Sequence, residues 1–167
     1  MIKIIDNFFD EKLFKNINNH VLHNVYYTPR WLEGKEKTKE TYYGDRFVLA
    51  DDPKLTKVFI ENVENKFKIK IKKLHNDSGI DLRNISRFIP HDDVPISKLN
   101  VLIMISGPTA VTNGTVFYTK GELDIHVGFR ENRAVLFPSS WIHSPHKSEV
   151  VNLKRYTASL FIADYEE

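Results

Sequence analysis

From Ile80 to the C-terminus the chain is a succession of short apolar runs broken by turn signals, and this texture constrains its fold more than any other feature. The runs are Ile85 to Ile89, Leu99 to Ile105, Thr115 to Tyr118, Leu123 to Phe129, Ala134 to Phe137 and Tyr156 to Ile162. Between them stand Gly107-Pro108, Asn113-Gly114 and Lys120-Gly121. Such dipeptides supply the special backbone angles that tight turns need. Six candidate strands this short and this closely spaced predict an antiparallel sandwich or barrel.

The first half reads differently. Asp10 is placed to cap a helix whose Leu13, Phe14, Ile17 and Val21 form one stripe. Tyr42 to Leu49 reads as a strand. A second helix is predicted over Pro53 to Leu74, because Leu55, Val58, Phe59, Val63, Phe67, Ile71 and Leu74 recur at helical spacing. Within it, Phe67, Ile69 and Ile71 also alternate as a strand would. Asn76 to Gly79 reads as a turn. The segment EGKEKTKE at 33–40 is polar but for one glycine and predicts a mobile surface loop, with Trp31 and Tyr43 at its base, that could order over a substrate. No internal repeat and no Pro/Gly/Ser-rich linker divides the chain. One domain is therefore expected over 1–167, with helical and lid elements to about residue 79 and a β core from about residue 80. Helices first and sheet afterwards give a mainly β, α+β fold: a double-sheet jelly roll with N-terminal helices packed on one outer face.

Composition removes other classes. The 24 Lys and Arg nearly balance 22 Asp and Glu, so bulk attraction to nucleic acid is not expected. KFKIKIKK at 66–73 is read as a solvated face rather than an anion-binding patch, because apolar residues interleave with its lysines. No apolar run reaches the roughly 20 residues that span a bilayer. The opening MIKIIDNFFDEK, with one early lysine and an apolar stretch broken by Asp6, does not read as a signal peptide, and a cytoplasmic location is expected. With no cysteine, disulfide frameworks, Cys-ligated zinc and thiol catalysis are excluded.

Chemistry must then come from histidine, carboxylate and arginine. Of seven histidines, His20, His23 and His75 read as surface residues, and His126, between Ile125 and Val127, as a packing residue. His91-Asp92-Asp93 is different. On an extended backbone residues two apart share a face, so His91 and Asp93 project together. They are two thirds of a two-His, one-carboxylate metal triad. A third ligand has to come from a distant strand, and NRAVLFPSSWIHSPHK offers His143 after a core strand, with His146 competing. Further on, Arg155, Thr157 and Ser159 share one face of a strand whose other face is Tyr156, Ala158 and Leu160. An inward arginine needs an anion, since a buried unpaired charge costs about 3–5 kcal/mol. The anion is either a protein carboxylate or a ligand's.

Together HDD at 91–93, NGTVFY at 113–118, NRAVLFPSSWIH at 132–143 and RYTAS at 155–159, with the opening IIDNFFDEKLF, resemble the 2-oxoglutarate- and Fe(II)-dependent oxygenases, and among them the small prolyl-hydroxylase-like and phage-encoded members. The resemblance implies a double-stranded β-helix core in which His91, Asp93 and His143 hold Fe(II), while Arg155, helped by the Thr157 hydroxyl, binds the distal carboxylate of 2-oxoglutarate. It also implies O2 as oxidant, release of succinate and CO2, and hydroxylation of a peptide, protein side chain or small molecule. The tyrosine-containing segment that usually precedes the first ligand pair in the prolyl-hydroxylase-like group is replaced here by RFIP. Two other readings make different demands. A cupin-like metalloenzyme would have no general need of Arg155, and a metal-free jelly-roll binding or structural protein would pair Arg155 with a carboxylate such as Asp124 or Asp164.

Overall fold

The computed structural model of the chain describes residues 1–31, 34–39, 41–83, 89–110, 113–146 and 154–167. The Asp10 carboxylate accepts the Leu13 amide at 2.9 Å and starts α1 (Glu11–His23). Ile17 and Val21 of its stripe are buried, and Leu13 and Phe14 pack half-buried against the same cluster. Asp52 caps α2 (Pro53–Phe67) in the same way, accepting the Leu55 amide at 3.0 Å. Pro53 stands in the first turn, where a missing N–H has no helical partner to lose. The His20 ring lies 2.9 Å from the Asp52 carboxylate and is half-buried rather than free on the surface.

This second helix is shorter than its apolar spacing predicts. Lys68 takes the left-handed conformation (φ 59°, ψ 48°) and donates its amide to the Glu64 carbonyl, closing the helix at Phe67. Lys70–Leu74 then form β4, and the strand-like alternation of Phe67, Ile69 and Ile71 prevails because a sheet edge is there to receive it. Lys70, Lys72 and Lys73 are exposed; Lys70 pairs with Glu64 at 3.2 Å and Lys72 with Glu166 at 3.0 Å.

The main sheet comprises β1 (Lys3–Ile5), β2 (Thr28–Trp31), β3 (Tyr42–Val48), β5 (Gly79–Arg83), β6 (Leu99–Ser106), β9 (Arg133–Pro138) and β11 (Arg155–Glu166) in the order β1-β9-β6-β11-β5-β3-β2. β4 lies beside the far end of β11. β7 (Gly114–Thr119), β8 (Glu122–Gly128) and β10 (His143–Pro145) form a smaller sheet in the order β10-β7-β8. All pairings in both sheets are antiparallel. Five of the six strands expected after Ile80 are present, and residues 85–88 of the sixth lie outside the described residues. Four strands from the part read as helical and lid elements, β1 to β4, also join the main sheet. This is a double-stranded β-helix, or jelly roll.

Both faces of the main sheet are covered, and strand alternation sorts the residues between them. Val101, Ile103 and Ile105, with Ala134, Leu136, Ala158, Leu160 and Ile162, pack against Phe8, Phe9, Phe59, Val63 and Phe67 beneath the helices. Their neighbours Leu102, Met104, Val135 and Phe137 face Phe117, Val127 and Phe129, forming a second cluster between the sheets. On β11 and β5 this inter-sheet face turns polar, and a cavity opens there. No helix among the described residues is long and apolar enough to cross a membrane.

Candidate active site

Backbone hydrogen bonds bring His91 and His143 together. The His91 amide donates to the His143 carbonyl at 3.0 Å and the His143 amide returns to the His91 carbonyl at 2.8 Å, a single antiparallel bridge. The Asp93 amide donates to the Ser139 carbonyl at 2.8 Å, which brings the second residue of the pair to the same place. The two imidazole centroids are 4.6 Å apart. Each Nδ1 lies 2.9 Å from a backbone carbonyl, that of Ile89 for His91 and that of Trp141 for His143. A proton on each Nδ1 makes those bonds and leaves each Nε2 as the acceptor nitrogen of its ring. The Asp93 carboxylate stands between them, 3.9 Å from His91 Nε2 and 3.5 Å from His143 Nε2, and Asn100 Nδ2 steadies it at 2.9 Å. Burial pushes the His143 imidazole below its ordinary value, which favours the neutral, ligating form.

One ligand atom from each of His91, Asp93 and His143 lies within 4.8 Å of the others. Two neutral imidazoles and one carboxylate, grouped beside a cavity that leaves room for further ligands, fit a divalent first-row metal held on one face. His146 lies apart from this group; its ring is 4.8 Å from that of His126. His126 is exposed, contrary to the packing role its neighbours suggest, because β8 is an edge strand. Ile125 and Val127 turn inward to the core, while Glu122, Asp124 and His126 turn to solvent.

Arg155, Thr157 and Ser159 line a cavity of about 290 Å³ with the three candidate ligands. Arg155 is 6% exposed. Its Nη1 donates to the Gly114 carbonyl at 2.7 Å and to Asn113 Oδ1 at 3.1 Å, both neutral acceptors, and its Nε is buried with no hydrogen-bond partner among the described residues. Burial, with the like charge of Arg83 nearby, pushes this guanidinium down to about 9, with Asp81 opposing. Neither carboxylate that a metal-free reading would pair with Arg155 reaches it: Asp124 accepts from the Thr119 hydroxyl, and Asp164 from Lys98. Thr115 Oγ1 and Asn100 Oδ1, also at the cavity, are buried without hydrogen-bond partners among the described residues. Orphaned polar atoms converging on one space mark a place for a polar occupant.

Gly114 is fixed by this arrangement. Its φ is 154°, and a Cβ there would run into the Val127 carbonyl oxygen and come within 2.7 Å of His126 Nε2. Asn113 and Gly114, read in the sequence as a turn and as the start of the NGTVFY stretch but given no role in the site, thus supply the acceptors that aim Arg155. Asp81, Arg83 and Arg46 also line the cavity without having been singled out. The available signal was charge inside strand patterns: Asp81 and Arg83 at period two in GIDLR, and Arg46 within YYGDRFV. Gly34 to Lys39 of the polar loop are exposed, and Lys37 sits 5.1 Å above the Trp31 ring. Arg87 lies outside the described residues.

No protein-family model and no curated protein matches the chain. Its fold is that of the 2-oxoglutarate-dependent oxygenases, as solved structures show. A prolyl hydroxylase from Trichoplax adhaerens, in complex with a hypoxia inducible factor oxygen degradation domain peptide fragment, aligns with a TM-score of 0.72 and 15% identity, over 99% of this chain and 83% of that one. The non-haem alpha-ketoglutarate-dependent epimerase SnoN of nogalamycin biosynthesis aligns with a TM-score of 0.64 and 12% identity, over 97% of this chain and 77% of that one. A structure of the same epimerase in complex with Fe3+, alpha-ketoglutarate and nogalamycin RO gives a TM-score of 0.63 at 11% identity, over 97% and 78%.

Proposed function

We propose that this chain is an Fe(II)- and 2-oxoglutarate-dependent dioxygenase that hydroxylates a peptide or protein side chain or a small molecule. The observation that carries the reading is one cavity holding both the His91, Asp93 and His143 cluster and a buried arginine whose Nε has no hydrogen-bond partner among the described residues. In this reading His91, Asp93 and His143 hold the iron, the Nδ1 bonds to Ile89 and Trp141 fix which nitrogen ligates, and Asn100 fixes the carboxylate. Arg155 takes the distal carboxylate of 2-oxoglutarate through Nε and the rest of its fork, and the Thr157 hydroxyl assists. Asn113 and Gly114 keep that fork aimed. The apolar residues between the sheets, Phe117 and Phe137 among them, keep bulk water from the reacting centre. Bound there, iron supplies dioxygen activation coupled to oxidative decarboxylation, so that substrate, O2 and 2-oxoglutarate become hydroxylated product, succinate and CO2. The solved prolyl hydroxylase holds a peptide and the solved epimerase a small molecule, and the reading admits both substrate classes.

The test is an anaerobic titration of Fe(II)-loaded protein with 2-oxoglutarate, following the visible metal-to-ligand charge-transfer band. A saturable band is expected, lost in His91→Ala and shifted to much higher 2-oxoglutarate concentration in Arg155→Ala, which should still bind iron. Iron binding without a band would turn the reading to a metalloenzyme that does not use 2-oxoglutarate. Absence of iron binding would overturn the triad.

A further inference from the structure

The small sheet brings a second pair of histidines together, on the face turned away from the cavity. Thr115 and Pro145 line the cavity, and Val127 packs between the sheets. Alternation therefore turns Gly114 of β7, His126 of β8 and His146, one residue past β10, to the opposite side. β10 and β8 flank β7, so their side chains start two strand spacings apart, roughly 10 Å. The two rings nonetheless stand 4.8 Å apart at their centroids, tilted 40° to one another. They meet because a glycine lies between them. A Cβ on Gly114 would come within 2.7 Å of His126 Nε2, and the His146 amide donates to the Gly114 carbonyl at 3.0 Å, which holds its ring alongside.

That separation is the one a shared ion imposes. With metal–nitrogen bonds of about 2.0–2.1 Å, the ring centres of two imidazoles on one ion stand roughly 4.5–5 Å apart. His91 and His143, the imidazoles of the candidate triad, are 4.6 Å apart in the same chain. The protonation state agrees. Partial burial and the adjacent His146 push the His126 imidazole below its ordinary value, against the pull of the Asn113 carbonyl. At neutral pH this ring is therefore uncharged and has an acceptor nitrogen to give to a cation.

We propose that His126 and His146 form a metal site separate from the triad, for a late first-row divalent cation of the Zn(II), Ni(II) and Cu(II) class. Imidazole suits these ions. The carboxylate that accompanies the histidines of the triad has no counterpart here: among the described residues no third histidine or carboxylate groups with the pair. One nitrogen from each ring is all the site requires, and its other coordination positions fall to water or to a ligand brought from outside. Neither histidine lines the cavity, so the inference stands independently of the oxygenase reading.

The test is a calorimetric titration of metal-free protein with Zn(II), with the imidazole resonances of His126 and His146 followed by NMR. Wild type should take up one equivalent at this pair in addition to any bound by the triad. His126→Gln and His146→Gln should each weaken that equivalent at least about tenfold, because one of two protein ligands is gone. Both positions lie outside the core clusters, so the melting temperature of metal-free protein should stay where it is. His91→Ala should leave the equivalent intact, and Zn(II) should still shift the His126 and His146 resonances together in that protein. Zn(II) uptake that His126→Gln and His146→Gln leave unchanged, or resonances of the pair that do not move with Zn(II), would overturn the inference. Failure of the triad to bind metal overturns the oxygenase reading and leaves this site standing if the shifts persist.

Discussion

Asp81→Asn removes one charge from the buried cluster behind the cavity and keeps the side-chain shape. Asp81 is 2% exposed, and its two oxygens accept Arg46 Nε and Nη2, both at 2.8 Å. An amide can accept only one of those donors and carries no charge, while Arg46, 8% exposed, has no solvent to turn to. Breaking a buried pair from one side costs about 3–5 kcal/mol. For a folded chain of 167 residues each kcal/mol is worth about 2–4 °C, so the melting temperature should fall by roughly 6–20 °C. The pH dependence has a definite sign. Burial pushes the Asp81 carboxyl up, but the charges of Arg83 and Arg46 and the Arg46 hydrogen bonds outweigh it and hold the group below the usual carboxylate range. A folded pKa below the unfolded value of about 3.9 means the pair's stabilisation is complete above that pH and is lost as pH falls through the folded pKa. Urea melts of wild type and variant should therefore stay apart by a constant gap from pH 7 to about pH 4 and converge only below. A gap under about 1 kcal/mol at pH 7, or one that already narrows between pH 7 and 5, would refute the reasoning.

Phe59→Ala should cost about 3–5 kcal/mol in urea unfolding, because Phe59 of α2 is fully buried against Phe9 and the cluster beneath the sheet, and its removal leaves a cavity. Asp52→Ala should cost about 1 kcal/mol at neutral pH by removing the α2 cap and the His20 contact. The Leu55 amide, with His20, holds the Asp52 carboxyl low, so that loss should vanish in acid once the wild-type carboxyl is also protonated. Gly114→Ala forces a Cβ against the Val127 carbonyl and displaces an acceptor of Arg155. In the proposed reaction it should raise the 2-oxoglutarate concentration needed for half-maximal turnover while iron binding persists, and an unchanged requirement would remove Gly114 from the aiming of Arg155.

The sequence carried the architecture where one periodicity stood alone. β6, β7, β8, β9 and β11 were legible because each is a short apolar run between turn residues, and α1 because Asp10 and a clean stripe agree. The signal failed at Lys66 to Lys73, where helical and strand spacings coexist and tertiary pairing decided between them. β2 and β10 escaped because three or four residues held mainly by their neighbours carry almost no pattern of their own. His91, Asp93 and His143 were visible as residue types, but their convergence depends on a backbone bridge that no local pattern encodes. The inward face of Arg155 was readable from alternation on β11. Its neutral acceptors were not, since Asn113 and Gly114 also make an ordinary turn.

The bridge between His91 and His143 joins two distant stretches through main-chain atoms alone. The seats of the two imidazoles are thus independent of what occupies them. Either ring can be exchanged for another side chain while its Cα stays at the same separation from the other, held by the same pair of peptide bonds. Chemical identity and position are inherited separately here, as a socket is separate from its fitting. A lineage built on this scaffold could trade one ligand set for another, or dispense with one, by single substitutions that leave the socket intact.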